Sequence, residues 1–310
     1  MKYRRLGRTG LKVSVVGFGT WQFGGEWAKN FTQTEANLLL ARAKDRGINL
    51  IDTAECYGDG LSESLIGGFL KGNRSDWVVA TKFGHKFHAL FERTQHFSAS
   101  DVLGQLEDSL RNLRTGHVDI YQFHSGADEV FDNQELWGAL NKQVKAGKIR
   151  FLGVSIGSND NLHQTEAAMA VGASVIQVVY NRLDRKPEER VLAACERQDL
   201  GVLARVPLAS GFLSGKFKAG DENSFGSDDV RGHWWSKERI VEAILNVEEI
   251  KTKEMPKGAE MAPWALAWCL RHTAVSAVIP GMKTVLQVDS NARAADYDEV
   301  SVGHPQAWKE

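Results

Sequence analysis

Four polar residues, Asp52, Tyr57, Lys82 and His124, have the types that one reaction requires. Reducing a carbonyl to an alcohol takes a hydride from a cofactor and a proton for the developing alkoxide. A phenol is a weak acid, with an ordinary pKa of about 10. A lysine ammonium beside it favours the phenolate and lowers that value. A carboxylate is then needed to hold the lysine charged and in place. A histidine N–H near the phenol orients the carbonyl oxygen and strengthens as negative charge grows there. Tyr57 as the acid, Lys82 and Asp52 as its tuning pair, and His124 as the orienting donor form a complete set. Singly, each has a plainer reading: a strand-end cap, a packed ring, a surface charge, a core histidine.

Three of the four close β-rich runs. Asp52 follows Asn49-Leu50-Ile51, Lys82 follows Val78-Val79-Ala80-Thr81, and His124 follows Ile120-Tyr121-Gln122-Phe123. Eight such runs are predicted, at residues 13–20, 49–52, 77–82, 118–124, 149–155, 175–181, 201–208 and 274–280. Segments long enough for a helix separate them. Thr32 and Glu35 form a capping box for one helix, and Gly47 supplies its stop. Ser100 is the expected N-cap of another, whose apolar face carries Val102, Leu103, Leu106, Leu110 and Leu113. Pro187 fits a helical first turn, and Pro263 opens the helix of Leu266 and Leu270. Alternating strands and helices require a parallel sheet, closed as a barrel or doubly wound. In a (β/α)8 barrel, the TIM barrel, chemistry belongs at the C-terminal strand ends, which is where the polar residues fall. Residues 3–6 and 11–14, around Gly7 and Gly10, read as a short N-terminal hairpin capping the barrel bottom. Residues 214–237, rich in Gly, Ser and Asp, read as a long functional loop.

Composition excludes several classes. The chain has 310 residues, 38 of them basic and 39 acidic, for a formal net charge of −1, which steers it toward neither nucleic acid nor a membrane surface. No apolar run reaches the ~18 residues of a membrane span, and no signal-peptide core follows the basic start at Met1-Lys2-Tyr3-Arg4-Arg5. Cys56, Cys195 and Cys269 are too sparse for a disulfide framework and fit a reducing, cytoplasmic setting. His85, His88 and His96 lack a companion carboxylate or cysteine cluster, so no metal is expected. No composition break divides the chain, and residues 1–310 are expected to form one domain.

The segment Asp52-Thr53-Ala54-Glu55-Cys56-Tyr57-Gly58 resembles the DTAxxYG stretch of the aldo-keto reductases. Lys82 after Val79-Ala80-Thr81, and His124 after Asp119-Ile120-Tyr121-Gln122-Phe123, match two further positions of that family. Gly17-Phe18-Gly19-Thr20-Trp21, Leu110-Arg111-Asn112-Leu113, Gly153-Val154-Ser155, Gln177 with Tyr180-Asn181, Pro207-Leu208 and Ile279-Pro280-Gly281 continue the pattern. The resemblance runs from about residue 3 to about residue 293. It implies a metal-free NADPH-dependent oxidoreductase that reduces aldehydes or ketones reversibly, with Tyr57 as proton donor. The partner would be a small carbonyl or alcohol substrate, and a homo-oligomer is compatible with it. No Gly-x-Gly-x-x-Gly crossover marks a separate dinucleotide domain, in keeping with a cofactor stretched across the barrel mouth.

By the same resemblance the cofactor residues are Gly19, Thr20, Trp21, Asp52, Ser155, Gln177, Arg205, Pro207, Leu208, Ser210, Leu213, Lys216, Gly281, Lys283, Thr284, Gln287 and Asn291. Trp21, Tyr57, Phe87, His124, Trp234 and Trp235 are the substrate candidates. Three departures stand out. Ile156 replaces an Asn, so the carboxamide loses a partner or takes Ser158 or Asn159 instead. Arg205 replaces an aromatic that stacks on the nicotinamide, where a guanidinium plane can also stack. Gly281 and Gln287 replace a Lys and an Arg at the 2′-phosphate site, which leaves Lys283 as its evident cation and NADH as a second cofactor. Two other readings are a regulatory cofactor-binding protein with little turnover and an unrelated barrel enzyme acting on sugar phosphates.

Overall fold

The computed structural model describes residues 1–300 and 303–309. Twelve strands occur among them. They are β1 (Tyr3–Arg5), β2 (Lys12–Ser14), β3 (Phe18–Gly19), β4 (Leu50–Asp52), β5 (Val78–Phe83) and β6 (His85–Ala89). They continue with β7 (Glu92–Gln95), β8 (Val118–His124), β9 (Ile149–Ser155), β10 (Ala173–Val179), β11 (Gly201–Arg205) and β12 (Val275–Val278). Eight of them form a parallel sheet in the order β12-β11-β10-β9-β8-β5-β4-β3. Parallel bridges of Val16 to Val278 and Gly19 to Gly281 join its two edges. The Gly17 amide donates to the Val278 carbonyl at 2.8 Å and the Gly19 amide to that of Pro280 at 3.0 Å. The sheet is therefore closed as a (β/α)8 barrel with no exposed edge.

Alternation along the strands sorts the side chains. Leu50, Val78, Ala80, Ile120, Val175, Leu203 and Ala277 form one cluster inside the barrel. Residues of opposite parity, such as Val79, Tyr121, Leu152, Ile176 and Val202, belong to the larger core under the outer helices. Leu6, Leu11 and Val13 of the β1–β2 hairpin join the inner cluster and plug the barrel bottom. Arg4, 1% exposed, ties that plug to the wall by donating to the carbonyls of Val275, Leu270 and Val300 at 2.6, 2.8 and 2.5 Å.

The helix signals hold in substance. Thr32 and Glu35 form the capping box of the helix Gln33–Asp45, and Pro263 lies in the first turn of Met261–Leu270. Ser98, not Ser100, caps the helix Ala99–Asn112, because its hydroxyl accepts from the Asp101 amide. Pro187 sits in a 3-10 turn, Lys186–Glu189, ahead of the helix Val191–Arg197. The run 13–20 serves two sheets, splitting into the end of β2 and all of β3. The run 201–208 stops at Arg205, because Val206 turns to φ 53°, a region hostile to β-branched residues. The antiparallel β6–β7 hairpin is absent from the strands expected on sequence. Residues 214–237 hold a short helix, Val230–Trp234, and cross the mouth. The Ala28 amide donates to the Asp228 carbonyl at 3.1 Å, and the Val230 amide to that of Glu26 at 3.0 Å. No helix among the described residues is long and apolar enough to cross a membrane.

The plug depends on one close approach. Gly7 has φ +48°, and a Cβ there would lie 2.1 Å from the Gly201 nitrogen. Gly10 also has positive φ (+68°) but faces open space. Gly7→Ala is expected to cost about 2–4 kcal/mol and Gly10→Ala about 1 kcal/mol in denaturant unfolding. Equal costs would mean that the contact at the barrel bottom is unimportant.

Candidate active site

The inward parity of each strand, carried one step past the apolar layer, delivers polar side chains to the mouth. Asp52 follows Leu50 in β4, Lys82 follows Ala80 in β5, and Gln122 and His124 follow Ile120 in β8. Gln177 follows Val175 in β10 and Arg205 follows Leu203 in β11. Tyr57 comes from the turn after β4, where its amide donates to the Ala54 carbonyl at 3.2 Å. Gly58, at φ +65°, packs against Gly24, with no room between them for a Cβ.

Lys82 is 1% exposed, and its ammonium has three acceptors. Nζ donates to Asp52 Oδ1 and to the Thr53 carbonyl, both at 2.7 Å, and to the Tyr57 hydroxyl at 3.4 Å. The other carboxylate oxygen, Asp52 Oδ2, accepts from Gln177 at 2.7 Å and Gln122 at 3.1 Å. Every hydrogen of the buried cation and both oxygens of its partner are thereby satisfied. Burial works against the Lys82 charge, yet Asp52 and the Tyr57 oxygen hold its pKa above the ordinary lysine value. The Tyr57 phenol is pushed up to about 12 by burial, against the lowering pull of Lys82. Lys82 thus acts in the expected direction, but burial outweighs it. The phenol stays protonated at neutral pH, which is the form a proton donor needs. Burial, followed by the charges of neighbouring groups, holds His124 well below the ordinary histidine pKa, so its ring is neutral. His124 and Tyr57 meet edge to face, with centroids 6.2 Å apart. Nδ1 of His124 lies 3.8 Å from the Cys56 sulfur.

A cavity of about 410 Å³ opens from this group across the mouth. Asp52, Tyr57, His124 and Gln177 line it, with Gly19, Thr20, Trp21, Arg205, Pro207, Leu208 and Ser210. Lys216, Gly281, Lys283, Gln287 and Asn291 line its far arm. Other candidates lie elsewhere. Ser155 is buried beside Gln177 in register, with its hydroxyl unpartnered. Leu213 is core, and Thr284 caps the helix Val285–Ala292. Phe87 sits on the β6–β7 hairpin, outside the cavity lining. Trp234 lines the cavity, but Trp235 does not: it stacks on Phe212 at 5.1 Å. Consecutive residues at the end of a helix point to different sides. Ser158 and Asn159, the alternatives for the residue lost at Ile156, do not line the cavity. Ser158 bonds Asp160, and Asn159 bonds Asp184 at 2.5 Å.

The lining residues absent from the sequence-based candidates include Arg93, Arg231, Gln22 and Trp27. Arg93, on β7, ion-pairs with Glu26, a buried carboxylate that also accepts from the Trp21 indole, and donates to the Cys56 sulfur at 3.2 Å. Arg231 pairs with Asp229 at 2.6 Å and lies 5.3 Å over the Trp27 ring. Gln22 occupies the space beside Gly281, where a Cβ would meet it at 1.8 Å. Trp27 packs 5.1 Å from Trp21. Arg93 and Arg231 lie in segments with no strand-end signal, so contact alone reveals them. Glu55, Cys56 and His124 bring ligand-type atoms within 4.8 Å of one another, but the Arg93 guanidinium shares the cluster and opposes a cation there.

A model of the Aldo/keto reductase family matches residues 15–303. The chain belongs to that family. It is 31% identical over 299 residues to the aldo-keto reductase YhdN of Bacillus subtilis, covering 94% of this chain and 87% of the relative. Its structure resembles the holo form of aldo-keto reductase AKR11C1 from Bacillus halodurans, with a TM-score of 0.79 at 29% identity over 96% of this chain and 91% of that one. It also resembles the glycerol dehydrogenase AKR11B4 of Gluconobacter oxydans, with a TM-score of 0.78 at 26% identity over 100% of this chain and 98% of that one. Membership makes this chain an oxidoreductase of a family that binds nicotinamide cofactors.

The phenol supplies a pH test. Tyrosinate absorbance, taken as the difference between wild type and Tyr57→Phe, should show no titration of Tyr57 below pH 10. Lys82→Met should move the midpoint higher still, since the ammonium is the group that lowers it. A Tyr57 midpoint near 8 would contradict the burial assigned to it.

Proposed function

We propose that this chain reduces an aldehyde or ketone to an alcohol, reversibly and with NADPH, and that Tyr57 delivers the proton. The observation that carries this reading is the Lys82 ammonium, saturated by Asp52, Thr53 and Tyr57 and buried at the end of an open cavity. The phenol donates to the carbonyl oxygen. As the proton leaves, Lys82 is already in place to stabilise the phenolate, with no reorganisation of the site. Neutral His124 has its Nδ1 against Cys56, which leaves Nε2 to hold the same oxygen. Asp52 and the two glutamines keep Lys82 charged and aimed. Trp21 lies near-parallel to Tyr57 at 6.1 Å and 5.8 Å from Trp234, making an aromatic wall for a small, partly apolar substrate.

The nicotinamide, when bound, supplies the hydride. The residues present fit such a group. Ser155 Oγ, Gln22 Oε1 and Arg205 Nε are buried without partners, and a bound polar molecule would satisfy atoms of this kind. Lys216, Lys283 and Arg231 face one another's charge in the far arm of the cavity, an environment suited to a diphosphate and a 2′-phosphate. Lys283, half-buried and bonded to the Trp27 carbonyl at 3.1 Å, is the cation assigned to the 2′-phosphate. Resemblance to a glycerol dehydrogenase supports alcohol–carbonyl chemistry. The three free cysteines are buried, in keeping with a cytoplasmic setting.

Two variants test the reading. Tyr57→Phe should lose about 10²- to 10⁴-fold in kcat while its NADPH Kd stays within about threefold. Retention of full activity would overturn the assignment. Lys283→Ala should weaken NADPH by about 10- to 100-fold and leave NADH nearly unchanged. Equal losses for both would remove Lys283 from the 2′-phosphate site.

A further inference from the structure

Hydride transfer changes the charge of a nicotinamide ring: the reduced ring is neutral and the oxidised ring carries a positive charge. What the protein places near that ring decides which state it holds better. Two of the three cations at the Tyr57 end of the cavity are answered by carboxylates. Lys82 pairs with Asp52 at 2.7 Å, and Arg93 pairs with Glu26. Arg205 is the third. It ends β11 with its side chain inward, and it lines the cavity. Its Nη2 donates to the Ile156 carbonyl at 3.1 Å, and its Nε is buried without a partner. No ion pair to Arg205 occurs among the described residues. Burial works against its charge, and Tyr57, Asp52 and Asp184 act on it only at a distance. Asp52 is already committed to Lys82, and Tyr57 is neutral in its donor form. An arginine keeps its proton even there. One half-buried positive charge, with a buried and unpartnered Nε, therefore stands uncompensated at the redox end of the site.

We propose that Arg205 makes this enzyme hold the reduced form of its nicotinamide cofactor more tightly than the oxidised form. The inference rests on the cofactor reading above. The hydride must reach the same carbonyl that Tyr57 protonates, so the ring binds at the end of the cavity that Arg205 lines. A guanidinium plane can stack on the ring in either state. Its charge repels only the oxidised ring, and a water-poor site screens that repulsion weakly. The adenosine and phosphate contacts are common to both states and cancel in the ratio of affinities. The consequence falls on separate steps: the site loads with the reduced cofactor and releases the oxidised one readily, while the hydride-transfer equilibrium on the enzyme is pulled toward the reduced ring.

The test is calorimetric titration of the wild type, Arg205→Lys and Arg205→Tyr with NADPH and with NADP+, with each variant's fold checked by circular dichroism. The wild type should bind NADPH about tenfold or more tightly than NADP+, equivalent to a rise of about 30 mV in the bound couple. Arg205→Lys, which keeps the charge, should keep most of that ratio. Arg205→Tyr, which keeps a stacking face, should bring the ratio within about threefold of unity, chiefly by tighter NADP+ binding. If Arg205→Tyr does not fold, Arg205→Gln takes its place with the same expectation. A wild-type ratio near one, or a ratio unchanged by the neutral variant, overturns the proposal and leaves the cofactor reading intact. Failure of the wild type to bind either form overturns both.

Discussion

The buried pair of Lys82 and Asp52 is the constraint on which the mouth of this barrel depends. An ammonium that is 1% exposed stays charged only if all its hydrogens and its counter-ion are satisfied. Removing one partner from such a pair costs about 3–5 kcal/mol, because the other charge is left buried and alone. The partners come from separate elements: Asp52 from β4, Lys82 from β5, Gln122 from β8, Gln177 from β10 and Tyr57 from a turn. The pair thus fixes the relative height of four strands at their C-terminal ends. Conversely, only a closed barrel brings β10 within reach of β4, since the two lie four places apart in the sheet order.

Around that centre, three connections build the walls. The turn after β3 contributes Trp21 and Gln22, the β6–β7 hairpin contributes Arg93, and the segment after β11 contributes Lys216, Arg231 and Trp234. They are tied to one another as well as to the barrel. Glu26 accepts from both the Trp21 indole and Arg93, and its carbonyl accepts from the Val230 amide. The Glu55 carboxylate accepts from the His85 amide at 2.9 Å and anchors the hairpin beside Tyr57. The aromatic substrate wall and the cationic far arm are therefore parts of one mechanically connected rim. Burial at this rim suits the proposed chemistry, because it keeps the phenol protonated and His124 neutral.

Much of this was legible before any coordinates. Period-two alternation marks strands, and chemistry at strand ends follows from it, so Asp52, Lys82 and His124 could be singled out, while Gln177 rests on the family resemblance. The same parity also points to Gln122, two residues before His124 and inward like it. The differences between the candidates and the cavity lining have a common cause. Phe87, Trp235 and Leu213 were assigned by residue type or by position in a motif, and neither says which side of a loop a side chain occupies. Arg93 and Arg231 belong to segments whose conformation is set by contacts with distant chain. Arg93 is held by Glu26, 67 residues away, which no local pattern encodes.

The sequence by itself determined the repeat of strands and helices, the family, and the order of Asp52, Tyr57, Lys82 and His124, because these rest on local periodicity and on motifs read within a few residues. Tertiary structure alone decided which charges are answered. Arg93 acquires a carboxylate, Arg205 acquires only the Ile156 carbonyl, and Gln22 fills the space beside Gly281. It also decided the balance at Tyr57, where burial outweighs the neighbouring ammonium. Desolvation and long-range pairing depend on how closely distant segments approach and how completely they exclude water, and neither quantity exists until the chain has closed on itself.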